Sequence, residues 1–243
     1  MRRDSIPELG SPAGAAARRA LEQVHAFQSD PSPPSSSTAA RFRWLARVAG
    51  DDVVVGKLFE SHLDALGIAQ EILGASEAAA LRQAVDPLEG LWGLWASEGP
   101  AGAGLQLTAE ADGRLTTVTG RKSWCSGAGG ASAALVTVRG ADGGARLVAV
   151  SMRHPGVTVT REGWEAVGMA DTASVDVLFD AVPAWALAQP LRQRALQCIA
   201  VDAGLLRTKA RALQAFQSQI QPDGKVACCS PRPCAPGAAA ANG

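Results

Sequence analysis

Charge of either sign is in no excess in this chain: 23 Lys and Arg balance 23 Asp and Glu over 243 residues, a formal net charge of +0 at pH 7. No block of Lys and Arg breaks that balance, so nothing draws the chain electrostatically to nucleic acid or to an anionic membrane, and a small molecule or another protein is the expected partner. Cysteine is scarce and unpaired in its spacing: Cys125 and Cys198 stand alone, while Cys228, Cys229 and Cys234 crowd a proline-rich stretch. An odd count of five is no disulfide framework. The three crowded thiols lack a paired CxxC arrangement and a nearby His, so no metal site is expected. No run approaches the ~18 uninterrupted apolar residues of a membrane span. Met1-Arg2-Arg3 leads into Asp4, Pro7 and Glu8 rather than the apolar core of a secretory signal. These absences together predict a soluble protein of the reducing cytoplasm.

What is present is apolar and patterned. At 47% hydrophobic residues the chain can bury a sizeable core, enough for two small domains. Ala15 to Gln28, rich in Ala, Arg, Leu and Glu, predicts one short helix, with His25 a residue of its C-terminal end. Ser29-Asp30-Pro31-Ser32-Pro33-Pro34-Ser35-Ser36-Ser37 is a low-complexity linker, so residues 1–38 read as a helix plus linker. From 39 to 90 the period is helical. Phe59, Leu63, Leu66 and Leu73 fall on one stripe, Gly74 is a stop, and Glu77 to Ala84 forms a further helix closed by Asp86-Pro87. His62 lies beside the stripe without a second metal-type residue at i+3 or i+4, which favours a packed histidine over a ligand or base.

Near Gly90 the period changes to two. Leu105 to Glu110, a turn at Ala111-Asp112-Gly113, and Leu115 to Thr119 predict a hairpin. Ala133 to Val138, the turn Ala141-Asp142-Gly143-Gly144, and Arg146 to Val150 predict another. Val157 to Thr160 follows the turn His154-Pro155-Gly156, and Ser174 to Phe179 is the last strand. Short strands at regular spacing over 91–182 predict a small β-barrel or sandwich. Beyond Val182 a helical period returns over 195–220, so 183–221 reads as a helical segment and 222–243 as a disordered tail. The fold class expected is α+β: a helical amino-terminal segment, a small middle β-barrel, one long carboxy-terminal helix and a disordered tail.

One stretch stands out. In Gly120-Arg121-Lys122-Ser123-Trp124-Cys125-Ser126-Gly127-Ala128 an indole sits among small and polar residues directly after a strand. Gly120 lets the backbone bend or lets something approach it closely. Trp124 needs a partner for its face and its N–H. Either the indole packs into a β core with the glycines serving turns, or Trp124 and the Ser126 hydroxyl face a planar ligand.

This stretch, with Trp92-Gly93-Leu94-Trp95-Ala96-Ser97-Glu98-Gly99-Pro100-Ala101-Gly102 before it and Trp164 to Phe179 after it, resembles the middle domain of the acyl-CoA dehydrogenases. Leu58-Phe59-Glu60-Ser61-His62 is similar to that family's amino-terminal helical domain in shortened form. The resemblance implies FAD as cofactor. It places Trp124 near the isoalloxazine ring, Ser126 near flavin N5, Ser97 at the pyrimidine side and Gly102 in a loop whose backbone approaches the phosphates. An indole can shield a reduced flavin, and a hydroxyl near N5 can orient the atom that accepts hydride. Ala103 and Gly104 stand where many members have Ser-Asp, which removes a side-chain contact to the pyrophosphate or acyl-CoA. Cys125 takes an apolar position and is expected to pack rather than do redox chemistry.

The family abstracts an α-proton with a glutamate carried on a carboxy-terminal four-helix domain. Only one helix of it is visible here, and 195–243 contains no Glu. No catalytic residue is assigned, and Glu98 is not given the base role. The expected function is an FAD-dependent acyl-CoA dehydrogenase-like flavoprotein, weak or inactive as this chain, with acyl-CoA as possible ligand. A second copy or a partner chain would supply the missing helices. The alternatives are a non-catalytic interaction or oligomerisation protein that keeps the barrel, and a damaged product that folds poorly.

Overall fold

The computed structural model describes residues 12–30, 38–97, 104–109, 114–161 and 164–188. The chain divides into two compact units, Met1–Arg192 and Gln193–Gly243, and all the described residues lie in the first. The predicted linker core, the turn at Ala111-Asp112-Gly113, the helix 195–220 and the cysteine-rich tail lie outside them.

The fold is α+β. Four helices, α1 (Pro12–Ser29), α2 (Thr38–Asp51), α3 (Val53–Leu73) and α4 (Ala75–Val85), precede strands β1 (Leu91–Trp95), β2 (Gln106–Ala109), β3 (Leu115–Cys125), β4 (Ala131–Arg139), β5 (Ala145–Ser151), β6 (Val157–Val159) and β7 (Val175–Ala188). A short 3-10 turn, Ala170–Thr172, lies between β6 and β7. The seven strands form one mixed sheet in the order β1-β4-β2-β3-β7-β5, with β6 on β7. β4 also pairs with β5, and it meets β2 at the single pair Gln106↔Arg139, so the path of pairings returns on itself.

The helix ends follow local chemistry. Asp52 caps α3 by accepting from the N–H groups of Val54 at 2.8 Å and Val55 at 3.1 Å. These bonds, with the Arg19 charge beside them, hold its carboxyl below the usual carboxylate range. Gly74 ends α3 at φ +81 with its N–H on the Gln70 carbonyl, as its place in the sequence predicts. The buried stripe of α3 is rotated from the predicted one. Val55, Leu58, Phe59, His62, Ala65 and Ala69 are buried, while Leu63, Leu66 and Leu73 are only partly so. Small residues at 65 and 69 let the helix lie close against the sheet, and the larger leucines flank that contact.

β4 explains its own unbroken apolar run. Ala133 and Leu135 face the α3–α4 side with Trp92, Leu147 and Leu187. Ala134, Val136 and Val138 face the interior with Trp95, Val118, Val148 and Val177. A strand buried on both faces has no polar side to show. The β4–β5 turn is held as its sequence predicts: Asp142 accepts from Gly144 N–H at 2.9 Å and pairs with Arg146 at 2.7 Å.

β1 is the strand that the period did not reveal, and β7 is longer than expected. β7 runs to Ala188, six residues beyond the expected end of the β region, and carries Pro183 opposite Thr117. β1 pairs in parallel with β4 on one side. Its other edge is closed by α3: Trp92 N–H donates to His62 Nδ1 at 3.1 Å, and Leu94 N–H to Ser61 Oγ at 2.8 Å. Asp86 takes more than a terminator's role. Its buried Oδ2 accepts from Gly90 N–H at 2.8 Å, Trp92 Nε1 at 3.0 Å and Ser132 Oγ at 2.7 Å, joining the α4–β1 connection to β4.

His62 is thus a packed histidine. It is 2% exposed, and burial, with the positive field of Arg82 and His25, pushes its pKa down to about 4. Because Nδ1 accepts, the neutral ring carries its proton on the unpartnered Nε2, and a second proton would go to Nδ1, against the Trp92 N–H, and bury an uncompensated charge. The unfolded chain binds a proton here near pH 6.5 and the folded chain only near pH 4. Stability is therefore complete above pH 6.5 and falls as the pH drops toward 4, by on the order of 3 kcal/mol. Urea denaturation of the wild type and His62→Asn across that range checks this: Asn can still accept from Trp92, and its profile is expected to be flatter by that amount.

Candidate functional site

The site forms where β3 runs out. Gly120, at φ +128, is where β3 bends, and a Cβ there would stand 2.8 Å from the Gly104 carbonyl oxygen. Both roles expected of this glycine, bending and close approach, are realised together.

Farther along β3, Lys122 pairs with Val177 and Cys125 with Val175, so three steps on β3 oppose two on β7. This is a β-bulge. Strict alternation would turn Trp124 to the same side as Lys122, which is 2% exposed. The bulge turns the indole out instead: Trp124 sits at φ +59 and is 47% exposed. The left-handed region is where glycine is expected, and a bulky side chain there costs on the order of 1 kcal/mol or more. A strained, half-exposed tryptophan is an outlier of the kind that marks functional positions.

Ser126 lies two residues on, half-buried, and its N–H donates to the Trp124 carbonyl at 3.1 Å. Its carbonyl accepts from Trp95 Nε1 at 3.1 Å, so the last residue of β1 props the turn from beneath. Its hydroxyl is 2.8 Å from Ser174 Oγ, which is 3.1 Å from Thr172 Oγ1. The Gly127 N–H donates to the Thr172 carbonyl at 2.6 Å, clasping the turn to the 3-10 segment. Gly127 itself, at φ +72, leaves room for Leu58 of α3, whose Cδ2 a Cβ would meet at 2.5 Å. Helix, turn and 3-10 segment therefore hold one another.

Of the four residues singled out in the sequence, the structure brings Trp124 and Ser126 onto one turn. Ser97 is exposed, two residues past the Trp95 that supports Ser126. Gly102 and Glu98 lie outside the described residues. Cys125 is buried and donates to the Lys122 carbonyl at 3.2 Å; burial pushes its thiol up, which agrees with packing rather than reactivity. His154 belongs to its turn, its Nδ1 accepting from Gly156 N–H at 3.1 Å. Trp95, Thr172 and Ser174 were not singled out. All three lie inside the quoted motifs, and two hydroxyl residues at i, i+2 amid apolar neighbours were the available signal. Among the described residues no group of three or more His, Cys, Asp or Glu could hold a metal ion. No helix among them is long and apolar enough to cross a membrane.

The fold is acyl-CoA dehydrogenase-like. Residues 95–182 match the family described as acyl-CoA dehydrogenase, middle domain. Solved structures agree on the fold. FMN-bound TdsC from Paenibacillus sp. A11-2 is 19% identical with a TM-score of 0.53, the match covering 74% of this chain and 54% of that one. KijD3 in complex with FMN and dTDP-3-amino-2,3,6-trideoxy-4-keto-3-methyl-D-glucose is 19% identical, TM-score 0.52, covering 78% and 58%. Glutaryl-CoA dehydrogenase from Mycobacterium smegmatis is 19% identical, TM-score 0.52, covering 81% and 55%. The chain spans a little over half the length of these structures. No curated protein matches it closely enough to count as a relative.

The bulge makes a prediction that reverses the ordinary order of strand residues. Trp124→Gly and Trp124→Ala lose the same ring, but only alanine keeps the strained backbone. The glycine variant is expected to be the more stable of the two by about 1 kcal/mol, measured by denaturant unfolding.

Proposed function

We propose that this chain is the flavin-holding part of an acyl-CoA dehydrogenase-type oxidoreductase, with FAD as its flavin and an acyl-CoA thioester as its substrate class. The observation that carries the reading is Trp124, turned out of its strand at φ +59 beside the Ser126 hydroxyl. A flat ring with a hydrogen-bonding edge fits that pair: the indole offers a face, and the hydroxyl offers one polar contact at its border. We read the returning path of strand pairings as the small barrel against which the ring lies. Ser97, exposed beyond β1, would meet the pyrimidine edge, and Gly102 the phosphates.

When bound, the flavin supplies two-electron oxidation of a carbon–carbon bond. The chain's own residues would bind and orient. Trp124 would cover one side of the ring and exclude water, and Trp95 would fix Ser126 through its carbonyl. The choice of an acyl-CoA follows the family and the glutaryl-CoA dehydrogenase likeness. TdsC and KijD3 share the fold with other ligands in their titles, which makes the substrate the first thing to vary. Since 195–243 lacks a glutamate, general-base help worth ~10² to 10⁴ in rate is not expected from that segment. The purified chain is therefore expected to turn over acyl-CoA slowly or not at all unless a partner or a second copy completes it.

Titration of the purified chain with FAD and with FMN, followed by flavin absorbance and fluorescence, tests the reading. Binding is expected, with FAD tighter than FMN. Trp124→Ala should weaken it by roughly threefold to tenfold, the scale of one stacking contact. A folded wild type that binds neither flavin would favour a protein that uses the sheet and helices only as an interaction scaffold.

A further inference from the structure

The direction of the Ser126 hydroxyl can be worked out by counting protons. Thr172 Oγ1 lies 2.8 Å from the Met169 carbonyl oxygen, which has no proton to give, so Thr172 donates there. Its single proton is then committed, and the contact of 3.1 Å to Ser174 Oγ requires Ser174 to donate to Thr172. By the same step the contact of 2.8 Å between Ser174 and Ser126 requires Ser126 to donate to Ser174. Reversing any link would set lone pairs or protons against each other. Thr172 and Ser174 are 1% and 4% exposed, so water does not relieve such a clash. The end of the chain is itself anchored, since the Met169 carbonyl also accepts from Thr172 N–H at 3.1 Å and Trp164 Nε1 at 2.9 Å.

We propose that Ser174 and Thr172 are positioning residues that hold the Ser126 proton inward, so that Ser126 meets a bound flavin with a lone pair and accepts a hydrogen bond. The inference rests on the reading above that the flavin lies at Trp124 with its N5 at Ser126. The family resemblance implies a hydroxyl near N5 but not which partner holds the proton; the hydroxyl chain decides that. N5 is a bare acceptor in oxidised flavin and carries a proton after two-electron reduction. A Ser126 that only accepts matches the reduced ring and opposes the oxidised one. The contact thus biases the site toward reduced flavin, a role that neither Ser174 nor Thr172 needs to touch the ring to perform.

Anaerobic binding of oxidised and of reduced FAD and FMN to the full chain reads this out as a ratio of dissociation constants. The wild type is expected to prefer reduced flavin. Ser174→Ala frees the Ser126 proton to turn outward, and Thr172→Val removes the acceptor that sets the chain's direction. Each should lower the preference by about threefold to tenfold, the worth of one neutral hydrogen bond, and Ser174→Thr, which restores a hydroxyl, should keep it. Far-ultraviolet circular dichroism confirms that each variant folds, and Thr172→Val, close in shape to the native residue, serves if Ser174→Ala does not. A preference unchanged or increased in the folded variants, with wild-type binding intact, overturns the hydroxyl chain alone. A wild type that binds flavin in neither state overturns the flavin reading, and this inference with it.

Discussion

Two side chains of α3 close an open strand edge, and the arrangement of the rest depends on them. An edge strand carries N–H groups that must be paired, wetted or covered. Ser61 and His62 cover two of them on β1, one with an oxygen and one with a ring nitrogen. Because they are neighbours on the helix and meet residues two apart on the strand, they fix both the height and the rotation of α3 against the sheet. The rotated apolar stripe, with Ala65 and Ala69 inward, follows from that fit. So does the need for a neutral imidazole, since only an unprotonated Nδ1 can accept.

From that edge the constraint passes to the site. β1 held by α3 on one side and by β4 on the other brings Trp95 under the carbonyl of Ser126. Leu58, from the same helix, fills the space left by Gly127. The turn that presents Trp124 is therefore supported from the helical side, from β1 and from the 3-10 segment. A backbone conformation as unfavourable as φ +59 at a tryptophan survives only where its surroundings over-determine it. These three supports are what over-determine it. Local preference loses here to the placement of one ring, and the hydroxyls behind the turn are saturated in one direction only.

Much of this was legible because it is local. The β4–β5 turn, the stop at Gly74, the bend at Gly120, the packed Cys125 and the return of β3 on β2 each rest on residues within a few positions of one another. Trp124 and Ser126 stood out by composition alone. What was not legible depends on distant partners. β1 has too few residues, one of them Gly93, to show a period, and exists because β4 and α3 receive it. β7 continues through Pro183, where a strand would be expected to end, because β5 pairs with Val150↔Ala184 and onward past the proline. Asp86 reads as a helix terminator, yet its carboxylate accepts from Gly90, Trp92 and Ser132, the last of them 46 residues away. The links among Ser126, Ser174 and Thr172 bridge two ends of the β region, so no single window holds them.

The parallel pairing of β1 with β4 carries an implication for how the chain is made. Leu91 meets Ala131 and Trp95 meets Val136, so β4, which backs β1 and adds Ala133 and Leu135 to the face under α3 and α4, is translated only after β2 and β3. Until then, a nascent chain emerging amino end first exposes the greasy side of α3 and α4 with no sheet to cover it. The hairpins are short-range and can form early, whereas docking of the helical half waits for a contact across about forty residues of sequence. Pauses in synthesis between residues 96 and 131 would lengthen that exposed interval, and a holding chaperone would find its target on α3.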